Sequence, residues 1–114
     1  MPSLTENDEY FLQVENMAAL AKVYPQSHDP LAWPYWATEE QVKGLPPMII
    51  SVNELDPLRD EGLQFARKCA RAGNNVYSKV IGGTCHGTDM MCEGLAPQIY
   101  HGSLREIVGF ANEV

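Results

Sequence analysis

Basic residues are scarce in this sequence of 114 residues. Eight Lys and Arg stand against fifteen Asp and Glu, which gives a formal net charge of −7 and a pI near 4.8. Nucleic acids and anionic membrane surfaces are bound through clusters of Lys and Arg. The sequence shows no cluster of that kind, so its composition argues against both classes of partner.

Cysteines are few, and the apolar runs are short. Cys69, Cys85 and Cys92 are too few for a disulfide framework and odd in number, so we interpret them as thiols in a reducing compartment. Residues 1–6 have neither the basic start nor the apolar core of a secretory signal. No apolar run approaches the roughly 20 residues of a membrane span. We therefore predict a soluble, cytoplasmic protein with one small domain.

An alternation of strands and turns organises the centre of the chain. Residues 48–52 are β-branched and nearly all apolar, as in a strand covered on both faces, and they lead to an acidic turn containing Asp56. A helix over about 60–71 follows, and a second strand over 75–81 ends in a glycine-rich turn containing His86. Because a crossover helix makes the strands parallel, both turns leave the same end of the sheet. We therefore expect Asp56 and His86 to meet.

Three further helices are predicted around this unit. An amphipathic period covers about 7–24, where Pro25 ends it, and its apolar face indicates core packing. Residues 38–41, Thr-Glu-Glu-Gln, form a capping box for a short helix. A last helix begins at Pro97. The predicted fold class is α/β, with two parallel strands and about four helices.

Aromatic residues are concentrated in one irregular segment. Trp33, Tyr35 and Trp36 lie within four residues of a loop broken by prolines. Such side chains line apolar ligand pockets, but they also hold loops onto a hydrophobic core. Both interpretations stay open on the sequence alone.

Asp56 and His86 are more informative as a pair than singly. An Asp-Pro pair is also a common turn or helix-start signal, and an isolated loop histidine is usually inert. Gly83 and Gly87 nevertheless leave room for the backbone to present the His86 ring. A carboxylate that accepts the Nδ1 proton of His86 would select its tautomer and stabilise the imidazolium.

A family resemblance rests on these same residues. Residues 45–47 (Leu-Pro-Pro), 56–62 (Asp-Pro-Leu-Arg-Asp-Glu-Gly), 72–73 (Ala-Gly) and 86–87 (His-Gly) resemble, in this order, the C-terminal third of α/β-hydrolases of the hormone-sensitive-lipase group. The resemblance covers the chain from about Asn7 onward. It implies carboxylic-ester hydrolysis through a Ser-Asp-His triad, without metal or cofactor. It implies further that Asp56 is the triad acid and His86 the general base.

Two motifs expected from that family are missing. Its members carry the catalytic serine on a Gly-x-Ser-x-Gly turn and the oxyanion hole on a His-Gly-Gly-Gly motif, both upstream of the acid. None of the serines here has the required glycines, and no such glycine run occurs. We therefore predict that residues 1–114 are a partial α/β-hydrolase domain, inactive alone, whose small ester substrate is bound once the missing N-terminal portion completes it.

A non-enzymatic role is the alternative. A truncated hydrolase remnant would act as a binding or interaction module and would self-associate through an exposed sheet edge. For the hydrolase, we expect Trp33, Tyr35 and Trp36 to form part of the pocket that binds the acyl or alcohol group of the substrate.

Three other constellations compete with the Asp56 and His86 pair. Residues 83–87 also fit a Gly-x-Cys-x-Gly turn with Cys85 as nucleophile, for which only His101 remains downstream as base. Cys85, His86, Asp89 and Cys92 suggest a metal cluster, but adjacent ligands do not match structural zinc spacings. Residues 27–29, Ser-His-Asp, are neighbours in sequence and so are unable to form a hydrogen-bonded relay.

Overall fold

The structure, a computed structural model, describes residues 1–23 and 28–114. In chain order its elements are α1 (Ser3–Glu6), α2 (Val14–Ala21), a 3₁₀ turn (Pro34–Trp36), β1 (Met48–Asn53), α3 (Arg59–Arg71), β2 (Val76–Ile81), α4 (Thr88–Met91) and α5 (Pro97–Ala111). The described residues thus form five α-helices, where the sequence predicts about four. Two of the five, α1 and α4, have only four residues each.

The two strands form a parallel pair. The register runs from Met48 opposite Val76 to Asn53 opposite Ile81, with α3 as the crossover, as predicted. β1 is buried only at its last two residues, so the prediction that it is covered on both faces holds only at its carboxyl end. Since the described sheet has two strands, each strand keeps one edge without a hydrogen-bonded neighbour.

Helix α3 packs against both strands and contributes to the hydrophobic core. Ala66 and Cys69 are buried on its inner face, and burial raises the pKa of the Cys69 thiol. A buried, protonated thiol is a packing residue rather than a nucleophile. A Cβ at Gly62 would lie 2.7 Å from Cγ1 of Val52, so this glycine allows the helix to approach β1. The helix stops at Gly73, whose φ of +87° favours glycine.

The amino-terminal helix differs most from the prediction. In place of one helix over 7–24, α1 and α2 are separated by residues 7–13. Glu9 in this segment has a φ of +70°, a left-handed conformation that interrupts a helix. Oδ1 of Asp8 accepts the N–H of Val14, the first residue of α2, at 2.8 Å.

The apolar face predicted for this segment is at most half-buried by the described chain. Tyr10 and Phe11 are 59% and 57% exposed, and α2 has no buried residue. The predicted core packing is therefore wrong for the residues that the structure describes. The predicted end of the helix, at Tyr24 and Pro25, lies outside them.

Contacts with the turn after β1 explain the break in the helix. Ser3 is fully buried; its N–H donates to Oδ2 of Asp60 at 2.8 Å, and its Oγ donates to the Pro57 carbonyl at 2.7 Å. Asn7 Nδ2 donates to two carbonyls of the same turn, both at 3.1 Å. These long-range bonds bind the amino-terminal segment to that turn. An amphipathic period in the sequence cannot indicate them.

The capping box forms without its helix. The N–H of Gln41 donates to Thr38 Oγ1 at 3.3 Å, and the N–H of Thr38 donates to Gln41 Oε1 at 2.9 Å. The segment continues as turns to Gly44, so the helix predicted here is wrong. Gly44 has a φ of +73°, a left-handed conformation that ends this run of turns. The run is too short to offset the free-energy cost of nucleating a helix.

The carboxyl-terminal elements complete the fold. α5 begins at Pro97, as predicted, and ends at Ala111. The segment between the His86 turn and Pro97, which the sequence leaves open, contains α4. Across residues 1–23 and 28–114, no helix combines the length and the apolar character needed to cross a bilayer.

The bond between Asp60 and Ser3 leads to a pH-dependent prediction. The Ser3 N–H, followed by the side chain of Arg59, holds the pKa of Asp60 below its ordinary value of 3.8. Such a carboxyl stabilises the fold above its unfolded pKa, and this contribution is lost as pH falls through the folded pKa. We expect Asp60→Asn to lower the free energy of unfolding by about 1 kcal/mol at neutral pH, and by less in acid.

Urea unfolding at neutral pH and below the ordinary pKa of an aspartate measures this difference. Glu40→Gln is the control, because the Glu40 pair with Lys43 is largely exposed and should contribute little. An equal loss of stability for Asp60→Asn at both pH values would contradict the prediction.

Candidate active site

Asp56 lies in the turn that joins β1 to α3. It is 5% exposed, and its Oδ1 accepts the N–H of Leu58 at 2.9 Å. Its own carbonyl accepts the N–H of Arg59 at 3.1 Å. Asp-Pro therefore does form a turn here, as one of the two interpretations of the sequence holds. That turn uses only one of the two carboxylate oxygens.

The other oxygen of Asp56 reaches His86. Oδ2 lies 2.8 Å from Nδ1 of the imidazole, so the contact expected from the sheet topology is present. The Asp56 side chain is 8% exposed, whereas that of His86 is 40% exposed. In the tautomer in which Nδ1 donates to this carboxylate, Nε2 is the nitrogen left to accept a proton from elsewhere.

The loop that carries His86 is held at both of its ends. The N–H of Gly83 donates to Glu54 Oε2 at 2.6 Å, and the N–H of Gly87 donates to Asn53 Oδ1 at 2.9 Å. Both glycines have left-handed φ angles, +70° and +66°. A residue with a Cβ would be strained at either position. Asn53 and Glu54, which bind the two ends of the loop, are thus neighbours in sequence at the end of β1.

A buried polar network lies beneath this loop. Asn53, Thr84, Asp89 and Ser103 are each no more than 7% exposed. Asn53 Nδ2 donates to Thr84 Oγ1 and to Asp89 Oδ1, both at 2.8 Å, and Ser103 Oγ donates to Asp89 Oδ2 at 2.9 Å. The sequence analysis missed this network. The available signal was a polar residue, Asn53, directly after an apolar strand.

Two clefts border the pair of Asp56 and His86, and both residues line each of them. One cleft, of 510 Å³, lies between β1 and α5, with Ile49 and Phe110 in its wall. The other, of 440 Å³, lies between β1 and α3, with Phe65 in its wall. The clefts use opposite faces of β1, since successive residues of a strand point to opposite sides.

The aromatic segment lies near one of these clefts. Tyr35 lines the 440 Å³ cleft, and its hydroxyl donates to Gln64 Oε1 at 2.9 Å. Lys68 Nζ lies 5.1 Å from the centre of the Tyr35 ring and donates to the Tyr35 carbonyl. Trp36 is 51% exposed and borders a separate cavity beside α3, and Trp33 is outside the walls of all three. The structure thus brings Tyr35, but not the two tryptophans, to the cleft of Asp56 and His86.

The competing constellations find no support in the described residues. His101 is exposed and pairs with Glu93 at 3.2 Å, and no hydrogen bond described here joins it to Cys85. No three metal-binding side chains come together within residues 1–23 and 28–114. Ser27, the first residue of the Ser-His-Asp run, lies outside the described residues.

Comparison with known proteins identifies relatives of this chain. A model of the α/β-hydrolase fold matches residues 1–90. The structure superposes with a TM-score of 0.94 on brefeldin A esterase, a bacterial homologue of human hormone-sensitive lipase, at 47% identity. Bovine arylacetamide deacetylase is 32% identical over 79 residues, and rat neutral cholesterol ester hydrolase 1 is 36% identical over 74 residues. The resemblance to the hormone-sensitive-lipase group is confirmed.

The chain spans only part of each relative. The match covers 97% of this chain but 32% of brefeldin A esterase. It covers 69% of this chain and 20% of the deacetylase, and 65% and 18% for the cholesterol ester hydrolase. About two thirds or more of each relative therefore has no counterpart in these 114 residues.

The orientation of the His86 ring is directly testable. In Asp56→Asn the side-chain oxygen is expected to keep the Leu58 N–H, so the new NH₂ group faces Nδ1 of His86. An amide donor there favours the tautomer with its proton on Nε2. We expect the major neutral tautomer of His86 to reverse, as measured by imidazole ¹⁵N chemical shifts.

Glu93→Gln provides the matched control, because it alters the carboxylate beside the exposed His101 and leaves His86 untouched. If Asp56→Asn leaves the His86 nitrogen shifts unchanged, the bond between Asp56 and His86 does not determine the tautomer.

Proposed function

This chain belongs to the α/β-hydrolase fold family, and from that membership we propose that it supplies the acid and the general base of a carboxylic-ester hydrolase. Asp56 is the acid and His86 is the base. The observation that carries the proposal is the 2.8 Å bond from a buried carboxylate to a half-exposed imidazole, at the carboxyl ends of two parallel strands.

The geometry supports a serine-esterase mechanism. With Nδ1–H held by Asp56, Nε2 of His86 takes the serine proton as the serine oxygen attacks the ester carbonyl. His86 then returns the proton to the leaving alcohol, and an acyl-enzyme remains. Water then attacks the acyl carbonyl as His86 takes its proton, and the bond to the serine oxygen breaks as His86 returns that proton to it, which releases the carboxylic acid. Asp56 stabilises the imidazolium at each transfer.

The serine comes from outside residues 1–114 in this proposal, which makes them a partial domain. Ser3 and Ser103 are buried and donate to Pro57 and Asp89, so neither has a hydroxyl directed at His86. The relatives are three or more times longer than the segment that matches. We propose that the missing part pairs with the open edge of β1, because both clefts that contain Asp56 and His86 adjoin that strand.

The aromatic segment is proposed to form one wall of the substrate pocket. Tyr35 has the strongest support, since it lines the same cleft as His86. Trp33 and Trp36 remain predictions from the sequence. The substrate proposed for the completed protein is a small carboxylic ester; the names of its relatives, an esterase and a cholesterol ester hydrolase, support the ester class.

The absence of a nucleophile can be tested on the chain alone. Loss of a triad serine lowers turnover on the order of 10⁶-fold in a serine protease. We expect the pure chain to hydrolyse p-nitrophenyl acetate no faster than buffer. Hydrolysis that His86→Ala abolishes would show that the nucleophile lies within residues 1–114.

The roles of Asp56 and His86 need the complete protein. When the chain is produced with a segment that carries the Gly-x-Ser-x-Gly motif, we expect esterase activity that His86→Ala abolishes. Asp56→Asn should lower kcat on the order of 10⁴-fold, as in a serine protease with the same change. Full activity of both variants would overturn the assignment.

A second candidate function is that of a non-enzymatic binding module. The observation in its favour is exposed apolar surface: α2 buries no residue, and Leu20, Leu31 and Leu95 are 69%, 95% and 83% exposed. Surfaces of this kind bind partners or associate with copies of themselves. The completed protein separates the two candidates, because a hydrolase gains an esterase activity that depends on His86, whereas a binding module gains none.

A further inference from the structure

We propose that Asn53 is a positioning residue for His86. Its carboxamide holds the histidine loop so that the imidazole meets Asp56. The inference concerns the orientation of His86, and its catalytic meaning rests on the function proposed above.

Asn53 contacts the loop on both sides of the histidine. Its Oδ1 accepts the N–H of Gly87, the residue after His86, at 2.9 Å. Its Nδ2 donates to Oγ1 of Thr84, two residues before His86, at 2.8 Å. Thr84 Oγ1 in turn donates to the Ile81 carbonyl at 2.7 Å. One side chain therefore fixes the loop on either side of the imidazole.

Gly87 and Asp89 together determine which way the carboxamide points. The Asp89 carboxylate accepts from Asn53 Nδ2 at 2.8 Å and from Ser103 Oγ at 2.9 Å, and Asp89 is 6% exposed. The backbone N–H of Gly87 only donates and so requires Oδ1 of Asn53, which leaves the NH₂ group of Asn53 to face Asp89. Ser103 anchors Asp89 to α5, so one of these two partners is held from outside the loop.

The position of Asn53 in the chain links the acid to the histidine. Asn53 is the last residue of β1, and Asp56 lies three residues further along the same chain. Backbone bonds join the two turns, since the N–H of Leu55 donates to the Thr84 carbonyl at 2.9 Å. A rigid strand end therefore carries both the carboxylate and the side chain that holds the imidazole opposite it.

The chemistry of the side chain is specific to asparagine. Both Nδ2 protons and one lone pair of Oδ1 are used in the buried network. Alanine would leave the Gly87 N–H and Asp89 without these partners. Aspartate would still accept from Gly87, but it would place a second carboxylate against Asp89.

The test uses Asn53→Ala, with Asn74→Ala as the matched control. Asn74 also donates two hydrogen bonds, to the carbonyls of Val42 at 2.7 Å and Cys69 at 3.1 Å, but it lies outside the histidine loop and its network. Both variants remove two donor bonds, which are buried at Asn53 and half-buried at Asn74, and Asn53→Ala also removes the acceptor of the Gly87 N–H. A purely structural role would thus give similar results for the two.

The primary measurement is proton exchange followed by NMR on the 114-residue chain. We expect Asn53→Ala to speed the exchange of the His86 Nδ1 proton and of the Gly87 amide by tenfold or more. Asn74→Ala should leave both exchange rates within about twofold of those in the wild-type chain. The variants are compared at denaturant concentrations that leave the same fraction of each folded. At the His86 Nδ1 proton, Asn53→Asp should resemble Asn53→Ala, because it lacks the donors to Thr84 and Asp89.

A second measurement distinguishes this proposal from the esterase assignment. In the completed protein, Asn53→Ala should lower kcat by about 10- to 100-fold with little change in KM, because a small displacement of a catalytic group acts on the chemical step. Unchanged His86 exchange in Asn53→Ala, or equal changes in Asn74→Ala, would overturn the positioning role. Altered exchange without any esterase activity in the completed wild-type protein would overturn the proposed function alone.

Discussion

The carboxylate of Asp56 serves two structures at once, and the arrangement of the site depends on this division. Oδ1 closes the turn that starts α3, and Oδ2 binds Nδ1 of His86. The turn removes rotational freedom from the side chain, so little entropy remains to be lost when the imidazole binds. Pro57, fully buried beside it, restricts the backbone of the same turn. The acid is oriented by the turn and not by the histidine alone.

Contacts from three regions of the chain meet at the carboxyl end of β1, where Asp56 and His86 lie. Ser3 and Asn7 bind the turn from the amino terminus, and Asn53 and Glu54 bind the histidine loop from β1. Asp89 and Ser103 support the loop from the carboxyl-terminal side. Each bond is modest in water-exposed surroundings, but buried polar groups are costly to leave unpaired. The network therefore favours a single conformation of the loop that carries His86.

The surroundings of this well-ordered site are open. β1 has a free edge within the described sheet, α2 has no fully buried residue, and large apolar side chains are exposed. These features agree with a segment that matches only about a third of brefeldin A esterase. The polar contacts that hold Asp56 and His86 are internal to the segment, whereas much of the apolar surface has no cover within it. Local order of the pair and incomplete burial of the fold thus coexist in one chain.

Sequence patterns predicted the elements whose signals are local. The parallel strands, α3 and the start of α5 at Pro97 follow from side-chain periodicity, turn residues and proline. The pairing of Asp56 with His86 also followed, because strand topology alone decides that both turns leave the same end of the sheet. The separation of α1 from α2 and the failed helix after Thr38 did not follow. Both depend on contacts or chain geometry that compete with a helical pattern.

By itself, then, the sequence determined the strand order, the crossover helix and the two residues that would meet. Only the tertiary structure decided three other features. These are the left-handed conformation of Glu9, the binding of Asn7 to the turn after β1, and the placement of the Asn53 carboxamide between Gly87, Thr84 and Asp89. The reason is physical. Periodicity and turn chemistry act over a few residues, whereas these hydrogen bonds join groups 31 to 49 residues apart, and no local preference encodes such a partner.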